Sequence, residues 1–246
     1  MERPLILVTN DDGFDAPGIR FLADTVAKHG DVIVVAPGEA MSGMGHAITI
    51  KTPLRFHQIH PNGNYEIYRT NGTPVDSVKL AMHKILPRKP DILVSGVNHG
   101  SNASVNIIYS GTMAAVFEGA MAGIPSVGFS ITDYDHAADL KITKPFIHEI
   151  VNFVLNQGLP NGISLNVNFP ATDKGDYKGM KICRQALAYW KEEFEERYDP
   201  HNQPYFWMRG SFVNHDEELD TDEWALKNGY VSVVPVQFDF TAFRFM

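Results

Sequence analysis

The first half of the chain alternates short apolar runs with longer amphipathic ones, and this alternation restricts the fold more than any other feature. It is typical of an α/β protein with a mostly parallel sheet covered by helices, because parallel strands are joined by helical crossovers. Gly and Pro residues mark the boundaries of the runs. The predicted strands are residues 5–9, 32–36, 92–95 and 126–130, and the predicted helices lie near residues 18–29, 75–86 and 112–122.

The length of 246 residues allows one large α/β core, and we predict that this core carries an appendage. Residues 51–68 lack helical periodicity, and Pro61-Asn62-Gly63-Asn64 indicates a turn, so we predict a β excursion near 51–70 that interrupts the core. A helix around 141–155 and strands at 163–169 and 181–184 precede an aromatic and acidic stretch, 190–207. We therefore predict a catalytic core over 1–170 and a C-terminal extension over 171–246. The charged run 191–199 is interpreted as a solvated face.

Charge and composition restrict the partners. Acidic residues outnumber basic ones by 29 to 21, giving a formal charge of −8, and no Lys/Arg cluster could follow a nucleic-acid backbone. A small phosphate ester is still compatible with this charge, because a bound cation inverts the local field. Cys183 is the single cysteine, so no intrachain disulfide is expected. Without a secretory signal or an apolar run of about 20 residues, the sequence predicts a cytoplasmic protein that binds neither a membrane nor polymeric nucleic acid.

Two adjacent carboxylates follow the first predicted strand. Asp11 and Asp12 lie within Thr9-Asn10-Asp11-Asp12-Gly13, at the carboxyl end of that strand, where ligands bind in open parallel sheets. Adjacent carboxylates repel each other unless a cation lies between them, and such oxygen ligands suit Mg²⁺, Mn²⁺ or Ca²⁺. The alternative is an Asx turn that caps the helix near Pro17.

Small polar residues also follow the next two strands of the core. Ser42 offers a hydroxyl, and Gly43 lets the backbone approach an anion. Asn98 offers a carbonyl oxygen to a metal, and Asn102 an amide to a phosphate. A flexible surface loop is the alternative for the first of these segments. His46 and His99 are candidate acid/base residues, although single histidines in loops are more often incidental.

A fourth polar loop, Tyr109-Ser110-Gly111-Thr112, precedes an Ala-rich run that favours a helix. Backbone N–H groups and two hydroxyls at a helix N-terminus form an anion site. Ser110 or Thr112 could equally serve only as an N-cap. Four such loops at one edge of a sheet are explained together by a phosphate and a hard cation.

These residues resemble the SurE family, the stationary-phase survival proteins, whose members are metal-dependent nucleotidases. The resemblance spans nearly the whole chain. Besides the loops above it rests on motifs shared with the family, which are Ala16-Pro17-Gly18, Val35-Ala36-Pro37, Asn71-Gly72-Thr73-Pro74, Ser95-Gly96-Val97-Asn98 and Glu118-Gly119, with weaker matches at Asn166-Val167-Asn168, Arg184-Gln185, Thr221-Asp222 and Gly229-Tyr230-Val231-Ser232.

The resemblance implies a fold and a ligand set. It implies a Rossmann-like sheet with helices on both faces, and a β-rich extension whose arm is exchanged between subunits of a homodimer or homotetramer. One divalent cation per subunit, Mg²⁺ or Mn²⁺, would be held by a set of four residues, and a second set would surround the phosphate. The metal ligands implied are Asp11, Asp12, Ser42 and Asn98, of which Asp11 and Asp12 are also catalytic, and the phosphate contacts implied are Gly43, Asn102, Ser110, Gly111 and Thr112.

One segment departs from the family pattern. Much of the family has Pro-Asn-Leu-Gly and an acidic residue before Tyr-Ser-Gly-Thr, whereas this chain has Ser101-Asn102-Ala103-Ser104 and Asn106. Any role of that acidic residue in proton transfer or substrate choice is therefore in doubt here. The residues that match the metal ligands are unaffected.

The sequence therefore predicts a metal-dependent 5′-nucleotidase that hydrolyses nucleoside monophosphates. Our hypothesis is in-line attack by water, although a carboxylate nucleophile is conceivable. A broad phosphomonoesterase or short-chain exopolyphosphatase could use the same site. A non-catalytic nucleotide-binding module is disfavoured, because Gly-x-Gly-x-x-Gly does not follow the first strand, and no Gly-x-x-x-x-Gly-Lys of a P-loop is present.

Overall fold

The computed structural model describes residues 2–59, 65–135, 137–171 and 176–246. Eleven strands and five α-helices occur in these ranges. The strands are β1 (Leu5–Thr9), β2 (Asp31–Pro37), β3 (Phe56–Ile59), β4 (Glu66–Thr70), β5 (Ile92–His99), β6 (Ser126–Ile131), β7 (Ile163–Phe169), β8 (Met180–Ile182), β9 (Ala188–Tyr198), β10 (Pro204–Asn214) and β11 (Val231–Gln237). The helices are α1 (Pro17–Val26), α2 (Pro74–Leu80), α3 (Gly111–Met121), α4 (Lys144–Gln157) and α5 (Asp222–Lys227).

The described residues form one sheet of nine strands in the order β3-β4-β2-β1-β5-β6-β7-β11-β8. Neighbours from β4 to β7 are all parallel, so the carboxyl ends of six strands meet at one edge. Strands β3 and β11 run antiparallel to their neighbours β4 and β7. The predicted α/β class with a mostly parallel sheet is confirmed, and β1 lies inside the sheet between β2 and β5.

Helices cover both faces of the sheet, as predicted. Alternate side chains of β1 face opposite sides of the sheet, and the apolar ones on each side pack against helices. Ile6 and Val8 of β1 pack in a core with residues of α1 and α4, such as Leu22 and Val151. Leu5 and Leu7 pack in a second core with residues of α2 and α3. All five residues of β1 are buried, which explains why its sequence is a continuous apolar run.

The β excursion does not interrupt the core as expected but extends the sheet. Strand β4 pairs in parallel with β2, and β3 pairs back on β4. The predicted turn at 61–64 lies outside the described residues. The local sequence indicates that this segment forms strands. Its partner β2 lies about 30 residues earlier in the chain, and no local pattern encodes a pairing between segments so far apart.

Helix α2 is shorter than predicted. A capping box opens it, in which Thr73 Oγ1 accepts from the Asp76 N–H at 3.1 Å and Asp76 Oδ2 accepts from the Thr73 N–H at 2.9 Å. The α-helical hydrogen bonds end at Leu80, and a π-helical turn continues over Ala81–Ile85. The predicted range 75–86 spans both because the apolar spacing continues through the π turn.

The C-terminal part divides between the sheet and a projecting hairpin. Strands β8 and β11 extend the main sheet beside β7. Among the residues that the structure describes, strands β9 and β10 pair with each other alone, over eleven residue pairs, and β9 contacts the short 3₁₀ helix Ser104–Ile108. The charged run 191–199 lies mainly in β9, and nearly all its residues are exposed in the single chain.

A buried carboxylate joins α5 to the loop after β5. Asp222 accepts from the N–H groups of Ser104 at 2.7 Å and Ala186 at 2.9 Å. Since both donors are buried, these bonds fix the loop 100–108 against the C-terminal part of the chain. Among the described residues, no helix has the length and apolar character needed to cross a membrane.

Candidate active site

The loop after β1 is shaped by Asn10. Its side-chain amide donates to the Gly13 carbonyl at 2.9 Å, and its Oδ1 accepts from the Gly13 N–H at 3.2 Å. Gly13 has a φ of +103°, which L residues with side chains rarely adopt. Helix α1 begins after Ala16 without a side-chain cap, so the alternative of an Asx turn that caps this helix is wrong. The Asn10 bonds instead shape the loop that carries the two carboxylates at the carboxyl edge of the sheet.

The Asp11 carboxylate is buried, with only 4 % of the residue exposed. Its Oδ1 accepts a hydrogen bond of 2.5 Å from the Thr112 hydroxyl. Burial raises the pKa of Asp11 to about 6, the Thr112 hydrogen bond opposes this rise, and the Asp12 charge adds to it. A buried carboxylate beside a second one is an environment that favours a bound cation.

The first residue of α3 lies directly against Asp11. A Cβ atom at Gly111 would lie 2.7 Å from Asp11 Cβ and 2.9 Å from Asp11 Oδ2. Only glycine allows this approach of the helix N-terminus to the carboxylate. Asp11 of the predicted carboxylate pair and the predicted anion turn are thus brought together.

Ser110 caps helix α3. Its Oγ accepts from the Met113 N–H at 3.0 Å, so the N-cap proposed as an alternative is observed. A cap of this kind uses the serine oxygen as an acceptor and leaves the hydroxyl hydrogen as a donor. Gly111, at the start of this helix, lies against Asp11, and free N–H groups at a helix N-terminus are able to bind an anion.

The loop that carries Ser42 and Gly43 is anchored at both sides of the site. The Met41 N–H donates to the Asp11 carbonyl at 2.7 Å, and the Gly45 N–H donates to the Tyr109 carbonyl at 3.1 Å. Ser42 and Gly43 are exposed, and a Cβ at Gly43 would meet no atom within 4 Å. This segment therefore faces open space next to Asp11.

Asn98 lies near the end of β5, the strand that pairs with β1 at Thr9↔Ser95. Its side-chain amide donates to the Gly100 carbonyl at 2.8 Å. That bond fixes the carboxamide, so Oδ1 is the atom available as a ligand.

Asn102 is held among strands β6 and β7. Its side-chain amide donates to Ser130 Oγ at 2.8 Å, and its N–H donates to Asn168 Oδ1 at 2.9 Å. The Asn166 amide donates to the Asn102 carbonyl at 2.8 Å. One amide hydrogen of Asn102 is thus engaged within the protein, and the other is what it could offer a phosphate.

The oxygen donors fit a hard divalent cation. Asp11 and Asp12 supply charge, while Asn98 and Ser42 supply neutral oxygens of the kind that Mg²⁺ and Mn²⁺ accept. Within the described ranges, no group of three or more His, Cys, Asp or Glu side chains could hold a metal ion. Any cation at this edge would therefore depend on two carboxylates and on neutral donors.

Sequence reasoning gave no role to several residues that shape the site. Asn166 and Asn168 are buried, and they share one face of β7 because they are two residues apart. Two asparagines on one face of an otherwise apolar strand indicate buried polar contacts, and this pattern is visible in the sequence. His46, a candidate acid/base residue from the sequence, has a partner that the sequence did not indicate, because its Nε2 lies 3.3 Å from Glu118 Oε2.

The chain is similar to known proteins over most of its length. Residues 6–192 match the family described as "Survival protein SurE". The chain is 56 % identical over 243 residues to "5′-nucleotidase SurE" of Flavobacterium psychrophilum, covering 98 % of this chain and 95 % of the relative. It is 55 % identical over 247 residues to the protein of the same name from Christiangramia forsetii, covering 100 % of this chain and 95 % of the relative.

A solved structure shares the fold. The crystal structure of the SurE protein from Aquifex aeolicus superposes with a TM-score of 0.85 at 37 % identity, covering 99 % of this chain and 97 % of that chain. The family resemblance predicted from the motifs is confirmed. The chain belongs to the SurE family.

Proposed function

We propose that this protein is a metal-dependent 5′-nucleotidase that converts nucleoside monophosphates to nucleoside and phosphate in the cytoplasm. The relatives named above are called 5′-nucleotidases and align over almost the whole chain. The observation that carries the proposal is the contact of the buried Asp11 carboxylate with Thr112 in the first turn of α3. This contact supports the proposal because a carboxylate that could hold a cation then lies beside a helix N-terminus that could hold a phosphate.

In this proposal one Mg²⁺ or Mn²⁺ would be held by Asp11, Asp12, Ser42 and Asn98. The cation would act as a Lewis acid on the phosphoryl group. The N–H groups at the start of α3, with the hydroxyls of Ser110 and Thr112, neutralise charge that develops on the phosphate oxygens. Gly43 and Asn102 complete the phosphate contacts. These assignments rest on the positions described above.

Water is the nucleophile in this proposal, and the carboxylates position it. Asp11 Oδ1 already accepts the Thr112 hydroxyl, and Asp11 Oδ2 faces Gly111 at close range. An oxygen engaged by hydrogen bonds and a cation is a poor nucleophile, so attack by the Asp11 carboxylate on phosphorus is disfavoured.

Chelation followed by metal restoration tests the proposal. We expect a chelated preparation to release no phosphate from a panel of nucleotides, and we expect Mg²⁺ or Mn²⁺ to restore release from nucleoside monophosphates. The same panel should include sugar phosphates and short polyphosphate, because a broad phosphomonoesterase or an exopolyphosphatase would hydrolyse those at least as well. Phosphate release that survives thorough chelation would contradict metal dependence.

We also propose a homodimer or homotetramer held by the β9–β10 hairpin. The hairpin carries large apolar side chains that are mostly solvent-exposed, including Phe194 (66 %), Trp207 (56 %) and Met208 (69 %). A two-stranded ribbon is marginally stable alone, and exposed apolar side chains in such numbers mark an interface. A second copy of the chain, exchanging the same arm, would bury them.

Light scattering of a variant with residues 190–212 replaced by a short Gly-Ser linker tests this assembly. We expect the wild-type protein to be a dimer or tetramer and the shortened variant to have a lower mass with an intact sheet. A matched control substitutes Lys191 and Glu193, charged residues of the same strand, with serine, which should preserve the assembly. A monomeric wild-type protein at micromolar concentration would refute the proposal.

A further inference from the structure

Most of the residues proposed to contact the phosphate lie on one stretch of chain, the segment 102–112. Asn102 lies at its start, and the turn Ser110-Gly111-Thr112 lies at its end. Between them the chain forms the 3₁₀ helix Ser104–Ile108, which ends two residues before Ser110, the N-cap of α3. The position of this short helix therefore sets the separation between the two groups of phosphate contacts.

The first residue of that short helix has a backbone conformation that serine rarely adopts. Ser104 has a φ of +55°, in the left-handed region. This conformation is unfavourable for a residue with a side chain, and it persists only where surrounding contacts hold it. The contacts of the Ser104 backbone should therefore decide the path that the segment takes towards the turn.

The Asp222 carboxylate makes such a contact. Asp222 is only 1 % exposed, and its Oδ2 accepts from the Ser104 N–H at 2.7 Å. Its Oδ1 accepts from the N–H groups of Ala186 at 2.9 Å and Glu223 at 2.8 Å. Burial raises the pKa of Asp222 above its ordinary value, and the hydrogen bonds from these N–H groups oppose the rise. Without the carboxylate, the buried Ser104 N–H would lose its acceptor, which is costly for the local structure.

Asp222 is itself held by the segment that leads into the β9–β10 hairpin. Its N–H donates to the Arg184 carbonyl at 3.0 Å. The Arg184 guanidinium forms ion pairs with Asp216 at 2.5 Å and with Asp220 at 3.0 Å, both in the segment between β10 and α5. The Asp222 carboxylate is therefore a fixed support for the Ser104 backbone and cannot simply follow its movements.

Asn102 and Ser104 are held from different parts of the fold. The Asn102 backbone bonds to Asn166 and Asn168 of β7, whereas the Ser104 N–H bonds to Asp222. If Asp222 released Ser104, Asn102 would keep its contacts with β7 while the path to the turn changed. The residues proposed as metal ligands all precede this segment in the chain, so their positions should change less.

We propose that Asp222 is a positioning residue for phosphate binding, which holds the Ser104 backbone and so keeps Asn102 and the turn at Ser110 at the separation that a phosphate needs. The inference rests on the proposed function and deepens it, because a side chain outside the site then determines the affinity for the phosphate group. Groups that are held in place before binding bind without the cost of being ordered.

The test measures the inhibition constant Ki of inorganic phosphate in the hydrolysis of adenosine 5′-monophosphate with Mg²⁺. We expect Asp222→Ala to raise Ki about 10-fold or more, the scale of losing one hydrogen bond to a charged group. The affinity for Mn²⁺, measured by calorimetry without phosphate, should remain that of the wild type. Asp222→Asn keeps one oxygen acceptor where the carboxylate has two, so it should recover part of the loss.

Asp91→Ala is the matched control. Asp91 precedes β5 at the amino edge of the sheet, away from the site, and its Oδ2 accepts from the Leu5 N–H at 2.7 Å. Both alanine variants should lower Tm, because each leaves a backbone N–H without its acceptor. We expect only Asp222→Ala to raise Ki, which would separate positioning from a general loss of stability.

A wild-type Ki for Asp222→Ala, together with a lower Tm, would assign Asp222 to the stability of the fold alone and overturn the inference. Parallel losses of phosphate and Mn²⁺ affinity would indicate a general distortion of the site and would also overturn it. If Asp222→Ala does not fold, Asp222→Asn decides, since a wild-type Ki for that variant has the same meaning. Failure of the wild-type protein to hydrolyse any nucleotide with any metal would instead overturn the proposed function, and the inference with it.

Discussion

Replacing Asp11 with asparagine should lower kcat/KM for a nucleoside monophosphate by at least about 100-fold, the scale of losing a major electrostatic group of an active site. The substitution removes the charge but preserves the shape, and asparagine can still accept the Thr112 hydroxyl. Calorimetry should show weaker binding of Mn²⁺. Because burial already raises the pKa of Asp11 to about 6, the neutral side chain should leave the free energy of unfolding at pH 8 unchanged or higher.

Asp31→Asn is the matched control for this substitution. Asp31 begins β2 at the opposite edge of the sheet, where its exposed carboxylate pairs with Arg3 at 2.9 Å. Loss of an exposed ion pair costs about 0 to 1 kcal/mol, so activity and Mn²⁺ affinity should remain those of the wild type. Wild-type turnover by a metal-free preparation of Asp11→Asn would refute the role given to Asp11.

Gly111→Ala should reduce kcat/KM about 100-fold by displacing the Asp11 carboxylate, on the scale reported for misplacement of about 1 Å at an active site. A Cβ there would lie 2.7 Å from Asp11 Cβ, so the first turn of α3 and the carboxylate must move apart. Overpacking of this kind costs about 1 to 3 kcal/mol of stability. Steady-state kinetics and thermal unfolding would measure the two effects.

Gly119→Ala separates the loss of stability from the loss of activity. It lies on the same helix, and its Cβ would lie 2.4 Å from Ser126 Oγ and 2.8 Å from Leu93 Cδ1, away from Asp11. We expect a comparable or larger loss of stability with much higher residual activity per folded molecule. If the two alanine variants lost activity in proportion to stability, the close approach of Gly111 to Asp11 would have no special role.

The central strands could be predicted because their burial leaves a local signature. Strands β1, β2, β5 and β6 each contain a short apolar run, since both faces of the sheet are covered, and the predicted bounds of each agree with the structure within a few residues. The sequence predicts that β5 ends at Ser95, whereas the strand continues to His99. The prediction is too short because Gly96 is small and Asn98 is polar, so neither residue favours a strand.

Pairings between distant strands could not be predicted from the sequence. The register of β4 on β2 and the contact of Asn102 with Asn168 depend on which segments become neighbours, and local patterns do not encode this. For the candidate site, the polar loops after the predicted strands were enough to predict Asp11, Asn98 and the turn at Ser110 as site residues. The support of His46 by Glu118 was not foreseen, because it joins a loop to the middle of a helix 72 residues later.

The antiparallel strand β11 has a consequence for synthesis of the chain on the ribosome. It pairs with β7 from Ile163↔Gln237 to Asn168↔Ser232, so β7 has an unpaired edge until more than 60 further residues have been translated. An open edge of an apolar sheet is a template for aggregation. We therefore expect nascent chains arrested before Val231 to require chaperones, and premature stop codons in the hairpin to yield insoluble fragments.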